Sequence, residues 1–262
     1  YFNISKFKKY GDLAKLKVEN LKAGARIKVD KAKKNPQDFV LWFTKSKFTD
    51  QDMKWPSPWG LGYPGWHIEC SAMSIKYLGK HFDIHCGGID HIPVHHTNEI
   101  AQSEAATNKK WVNYWLHGEF LVMDKGKMTK SKGEFLTLQK LIDKGYSTND
   151  FKYLCLGAHY RTQLMFNKEG LTSAKNAMEK LKERVIEMKE NPSSKKNIAL
   201  EKKYKTEFLK QINDDMNMPE AMAVVWGLLK EKNLGNKEKT RLLLDFDRVL
   251  GLGIKSFARE KL

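Results

Sequence analysis

The apolar pattern of the chain changes character near Leu138, and that change limits the folds open to it. Before that point short apolar runs alternate with helix-length segments; after it the pattern is helical almost to the end. The helical stretch is broken at Asn191-Pro192-Ser193-Ser194, at Asn217-Met218-Pro219 and at Leu234-Gly235-Asn236. Links that short predict an antiparallel helical bundle over the last ~90 residues. Upstream, Ile68, Ala72, Ile75 and Leu78 recur at spacings of three and four, which predicts a helix over 68–79 ended by Gly79. Residues 82–86 alternate as a strand, with a sharp turn expected at Gly87-Gly88. Pro93 precedes a helix of about 95–106, and residues 111–123 read as an aromatic loop followed by the strand Phe120-Leu121-Val122-Met123. Phe39-Val40-Leu41-Trp42-Phe43 reads as a strand or a buried helix start. Trp55-Pro56-Ser57-Pro58-Trp59-Gly60 reads as a rigid aromatic loop, because each proline restricts itself and the residue before it. The expected fold class is α/β followed by a helical bundle.

With 41% hydrophobic and 11% aromatic residues in 262, the chain is too apolar to stay disordered and long enough for more than one core. No run approaches the ~20 apolar residues that cross a bilayer. The first ten residues, polar and basic, do not read as a secretory leader. Three cysteines, Cys70, Cys86 and Cys155, lack the spacing of a disulfide framework and predict a reducing, cytoplasmic setting. Tyr1-Phe2-Asn3-Ile4 reads like the end of a strand, so residue 1 is not expected to be a native start.

The formal charge is +16. Residues 1–60 carry 14 basic and 6 acidic side chains, residues 61–170 carry 13 and 11, and residues 171–262 carry 20 and 14. Basic flanks therefore surround a nearly neutral middle, and that middle holds every histidine and cysteine, between His67 and His159. Such a layout suits an enzyme with a polyanionic substrate, RNA being a common one.

Three groups of residues can carry chemistry. His95 and Glu99, four apart on a predicted helix, project from one face, and Cys70 is the natural third ligand. Sulfur, nitrogen and oxygen donors together suit Zn²⁺. By spacing alone the three could equally be a buried thiol and a surface pair. Lys127-Met128-Thr129-Lys130-Ser131-Lys132-Gly133, after an apolar strand, could wrap phosphates or be a solvated turn. In Gly87-Gly88-Ile89-Asp90, the glycines would let backbone approach a ligand, and Asp90 could hold a ribose diol.

Together these residues resemble a known family. Gly65-Trp66-His67-Ile68-Glu69-Cys70-Ser71-Ala72-Met73 is similar to cysteinyl-tRNA synthetases, as is the 81–99 segment with its GGxD and HHxNE pieces. Lys127-Met128-Thr129-Lys130-Ser131 resembles the KMSKS signature of class I aminoacyl-tRNA synthetases. The resemblance implies two steps: ATP and L-cysteine form cysteinyl-adenylate, and the acyl group then passes to the 3′ end of the tRNA for cysteine. It further implies that Cys70, His95 and Glu99 match three of four ligands to a zinc that binds the substrate thiolate. Lys130 and Lys127 would serve ATP, with Mg²⁺ accompanying the nucleotide. Gly88 and Asp90 would line the ribose, and Trp66 and His67 the cysteine pocket.

The implied layout is a tail of the connective insertion at 1–60 and the second half of a Rossmann-like catalytic domain at 61–125. A stem-contact segment bearing the KMSKS-like loop follows at 126–170, then the anticodon-side bundle at 171–262, in a monomer. Val94 replaces the proline usual before the histidine pair, and Thr129 replaces the first serine of the signature. The HIGH signature and the cysteine just ahead of it do not occur, so the first half of the fold is expected upstream of Tyr1 and a small anticodon-reading domain beyond Leu262. The 262 residues by themselves are then not expected to form adenylate, and their zinc binding would be weakened for want of the fourth ligand. Alternatives are a cysteine ligase acting on a small amino-sugar acceptor and a non-catalytic RNA-binding fragment. A zinc hydrolase ranks low without an HExxH-type base.

Overall fold

Parallel strands need a crossover of a dozen or more residues between them, and the segment joining Gly88 to Val112 supplies one. The computed structural model describes residues 1–15, 33–45, 52–123 and 137–259. The chain divides into two compact units, Tyr1–Gly118 and Glu119–Leu262. The first holds β1 (Trp42–Phe43), β2 (Tyr63–Pro64), α1 (Trp66–Leu78), β3 (Phe82–Gly88), α2 (Thr97–Thr107) and β4 (Val112–Gly118).

β3 and β4 pair in parallel from Phe82↔Val112 to Gly88↔Gly118, and β1 pairs antiparallel with β2. α1 and α2 pack on each other beside the parallel pair. Phe82, Trp111 and Val112 form the core beneath, with Ile75 and Trp115 against it. Gly79, at φ +93°, stops α1 where the sequence predicted. Two expectations are corrected. β3 runs through Gly87-Gly88 instead of turning there, and the turn follows at Ile89–His91. The expected aromatic loop is β4, because ladder bonds to β3 hold it extended.

The second unit holds β5 (Leu121–Met123), α3 (Leu138–Asp143), α4 (Thr148–Leu156), β6 (Leu164–Phe166), α5 (Lys168–Glu190), α6 (Ile198–Asn213), α7 (Met218–Lys230) and α8 (Asn236–Leu250). β6 lies in a stretch that reads as helical; three residues are recruited as a strand by parallel pairing with β5. The three breaks fall between helices as expected, and α5, α6 and α7 each start on an asparagine whose side chain accepts from a first-turn N–H. Leu181, Val185, Phe208, Val225, Leu228, Leu243 and Phe246 fill the core of this helical layer, with Phe208 and Phe246 stacked at 4.1 Å. In the turn after α6, Asp215 and Met216 both have positive φ. Asp215 accepts from Tyr160 Oη and Arg161 Nε, each at 2.6 Å, and these partners hold its carboxyl below the usual range.

Candidate metal and substrate site

The site lies at the carboxyl ends of β3 and β4, the end at which parallel sheets bind ligands. α1 begins at Trp66 after the extended N-cap Gly65, which is pressed against Val40; a Cβ there would sit 2.4 Å from the Val40 carbonyl oxygen. That start sets Trp66, His67 and Cys70 on the first turns of α1. After β3 the chain makes a π-helical turn, Ile92–His96, with Pro93 in its first positions, before α2. Thr97 Oγ1 donates to the Ile92 carbonyl at 2.7 Å, tying α2 back to the start of the turn. Wide turns of this kind recur at functional sites.

α2 turns a polar face inward. Thr97, Asn98, Glu99, Gln102 and Ser103 are all buried. Gln102 Nε2 donates to the His67 carbonyl and to Ser71 Oγ, both at 2.6 Å, and Ser103 Oγ donates to Ser71 Oγ at 2.8 Å. These bonds lock α1 to α2, and so fix Cys70 relative to His95 and Glu99. The ligand atoms of the three lie within 4.8 Å of one another, as do those of His85, His96 and Glu99. Glu99 is therefore common to two donor groups.

Glu99 is 0% exposed, and neither carboxylate oxygen has a hydrogen-bond partner among the described residues. Its neighbours are imidazoles: His85 Nε2 at 3.2 Å from Oε2, His95 Nε2 at 3.6 Å from Oε1, and His96 Nε2 at 3.8 Å from Oε2. Burial pushes His95 down to about 4 against the pull of Glu99, and it pushes His67 down to about 4. His96 falls to about 3, from burial and then from His85, His117 and the other rings. The Cys70 thiol is raised, by burial first and then by Glu99 and Glu69. Imidazoles, those of His95 and His96 pushed toward the neutral form, thus surround a dehydrated carboxyl group that no described residue hydrogen-bonds. A buried carboxylate left so is costly unless a cation meets it. The donor set fits Zn²⁺: thiol, imidazole and carboxylate, three in number, leaving room for a substrate atom.

The partners of His95 orient it. His95 Nδ1 lies 2.8 Å from His67 Nδ1, and Trp66 stacks on the His95 ring at 4.3 Å. In the tautomer in which His95 donates to His67, its Nε2 lone pair is the one turned toward Glu99, the outer-shell arrangement that metal-ligating histidines use. Gly87 is needed at the site for space. A Cβ there would meet His96 Cε1 at 2.4 Å and His91 Nδ1 at 2.9 Å.

Of the residues singled out in the sequence, Cys70, His95 and Glu99 come together, with Trp66 and His67 against His95. Gly88 and Asp90 sit side by side at the end of β3, the Asp90 side chain exposed. Lys127 and Lys130 lie outside the described residues. Sequence reasoning missed His85, His96 and His117, the last 2.8 Å from His96 Nδ1, and the Ser71–Gln102–Ser103 lock. The clustering of histidines between β3 and β4 was the only signal for the first three.

The model of the tRNA synthetases class I (C) catalytic domain matches residues 1–176. The chain belongs to this family. Class I (C) relatives include the cysteine–tRNA ligase of Treponema denticola, 52% identical over 96% of this chain and 55% of its own length. The cysteine–tRNA ligase of Borrelia turicatae is 44% identical over 97% of this chain and 56% of its own. The chain spans about half the length of the curated relatives it matches. Among solved structures, the ternary complex of Agrobacterium radiobacter K84 agnB2 LeuRS with tRNA and LeuAMS superposes with a TM-score of 0.53 at 12% identity, over 78% of this chain and 33% of that one. At that identity the likeness speaks for the fold, a class I synthetase catalytic domain with parallel strands and many helices. No helix among the described residues is long and apolar enough to cross a membrane.

Proposed function

We propose that this chain carries the substrate-selecting part of a cysteine–tRNA ligase. In that reaction a carboxylate oxygen of L-cysteine attacks the α-phosphorus of ATP, pyrophosphate leaves, and cysteinyl-adenylate forms. The acyl group then passes to a hydroxyl at the 3′ end of tRNA, releasing AMP. One observation carries the reading: Cys70, His95 and Glu99 converge within 4.8 Å around a buried carboxyl group with no hydrogen-bond partner among the described residues. Zn²⁺ bound there would supply a soft Lewis acid that favours a thiolate over the hydroxyl of serine. Discrimination against that isostere is hard to achieve by shape alone.

The chain's own residues have distinct parts in this reading. Cys70, His95 and Glu99 hold the metal, and the His67–His95 bond keeps the Nε2 lone pair of His95 turned inward. Trp66 walls the amino-acid pocket, with His67 beside it. Gly88 and Asp90 take the ribose of ATP, and Lys127 and Lys130 neutralise charge as the phosphate bond breaks, beside the Mg²⁺ that accompanies the nucleotide. The basic flanks attract tRNA. In this layout 1–60 is insertion tail, 61–125 catalytic half-domain, 126–170 stem contact and 171–262 the bundle along the tRNA.

Cysteine-dependent ATP–pyrophosphate exchange by the full-length protein, followed by charging of tRNA, tests the activity. Exchange without charging would point to the small-acceptor ligase, and tRNA binding without exchange to a non-catalytic fragment. Cys70→Ala is expected to lower zinc content, measured by elemental analysis, and to raise the KM for cysteine while that for ATP holds. Unchanged zinc would sink the ligand assignment. Lys130→Ala is expected to slow exchange by more than tenfold, or ~1.4 kcal/mol.

A further inference from the structure

Residues 55–62 form a closed loop that holds large apolar side chains in water. Trp55 and Gly62 exchange both backbone hydrogen bonds, at 2.7 and 2.9 Å. Inside the loop, Ser57 Oγ donates to the Gly60 carbonyl at 2.6 Å and accepts from the Trp59 N–H at 3.2 Å. Pro56 and Pro58 fix two more backbone angles, and Gly60 adopts φ +107°, which glycine alone takes without strain. The loop is rigid by construction. Yet Trp59 is 72% exposed, Leu61 61% and Trp55 44%.

Two prolines, a ladder and a serine bridge are more order than a solvent-facing turn needs. An indole held out in water forgoes the stabilisation that burial would give it. A rigid backbone beneath an exposed ring has already lost entropy that binding would otherwise cost, so a partner gains by stacking on it. The surroundings say which kind of partner. No acidic residue occurs from Met53 to Trp66, and Lys54 adjoins Trp55. Flat indoles with a lysine next to one of them, and no acidic residue in the loop, suit nucleic-acid bases with phosphates alongside. The loop also leads through β2 directly into α1, whose first residue stacks on His95.

We infer that residues 55–62 are a stacking platform for unpaired bases of an RNA, Trp59 being the principal contact and Trp55 the second. The inference rests on the tRNA reading above and names a surface that grips the single-stranded end of the acceptor.

Fluorescence anisotropy with the full chain tests it, using a short labelled single-stranded RNA and a blunt RNA duplex as probes. Trp59→Ala is expected to weaken the single strand about tenfold, the size of one lost base stack, and to leave the duplex unchanged. Trp59→Phe should recover most of that loss. The slope of log affinity against log salt should stay the same, because no cation is removed. Single-strand affinity within twofold of the parent, or equal weakening of both probes, overturns the inference. So does loss of self-association in Trp59→Ala with RNA binding intact, which would make the loop a protein contact. Cysteine-dependent exchange needs no RNA. Exchange by the full-length protein with no effect of Trp59 on RNA binding therefore sinks this inference alone, whereas absent exchange in the full-length protein sinks the reading above.

Discussion

His85 Nε2 stands 3.2 Å from Glu99 Oε2, while His95 Nε2 approaches the other oxygen, Oε1, at 3.6 Å. One buried carboxyl group is thus flanked on both oxygens, and only the Oε1 side belongs to the donors read from the sequence. His85 on β3 packs against Oε2 of a carboxyl group on α2, leaving Oε1 to His95.

His85→Ala should therefore weaken zinc binding by about 10- to 100-fold, as loss of an outer-shell partner does. His85→Gln, whose amide can stand where Nε2 stands, should recover part of it. Competition with a zinc chelator measures both. Equal zinc affinity in parent and His85→Ala chains would mean that Glu99 needs no such support.

Gly87→Ala should destabilise the first unit. The added Cβ would fall 2.4 Å from His96 Cε1 and 2.7 Å from His96 Nε2. That ring cannot swing away freely, because its Nδ1 is bonded to His117. Overpacking of this kind costs ~1–3 kcal/mol. A lowered urea midpoint with an unchanged slope is the expected result; a midpoint equal to the parent's would show that the ring has room.

Stability without metal should fall in mild acid. His67 and His95 are held at about 4 and His96 at about 3, against 6.5 for a free ring. Between those values the unfolded chain binds protons that the folded chain refuses. The folded state is thus fully favoured above about 6.5, loses stability as the pH drops toward about 3, and levels off below. Urea unfolding at a series of pH values should trace that decline. A flat profile over the window would mean the rings ionise freely in the folded chain.

Phe246→Ala should unfold the helical unit most readily. Its ring stacks on Phe208 at 4.1 Å, and both are almost fully buried. Truncating such a ring costs ~3–5 kcal/mol. Loss of cooperative thermal unfolding followed by circular dichroism is expected, whereas Val249→Ala, at an exposed site, should change little.

Local signals in the chain were read well. Gly79 ends α1 because a left-handed backbone suits glycine. Pro192, Pro219 and Gly235 separate the long helices for similarly local reasons. The spacing of His95 and Glu99 placed them on one face before any fold was known, although the first of them lies in a π-helical turn. Motif order nominated Cys70, His95 and Glu99 together, where spacing alone left them ambiguous.

The amino-acid order by itself determined where helices begin and stop, which residue types are gathered in the middle of the chain, and which family it joins. Tertiary structure decided the rest. Val112–Gly118 became a strand only by pairing with β3, and Leu164–Phe166 only by pairing with β5. The histidine shell of Glu99 assembles from β3 and a widened turn, with His117 of β4 behind His96. Helix signals act over one or two turns and leave a periodic trace, but strand pairing and side-chain convergence depend on partners dozens of residues away, whose contribution no local window contains.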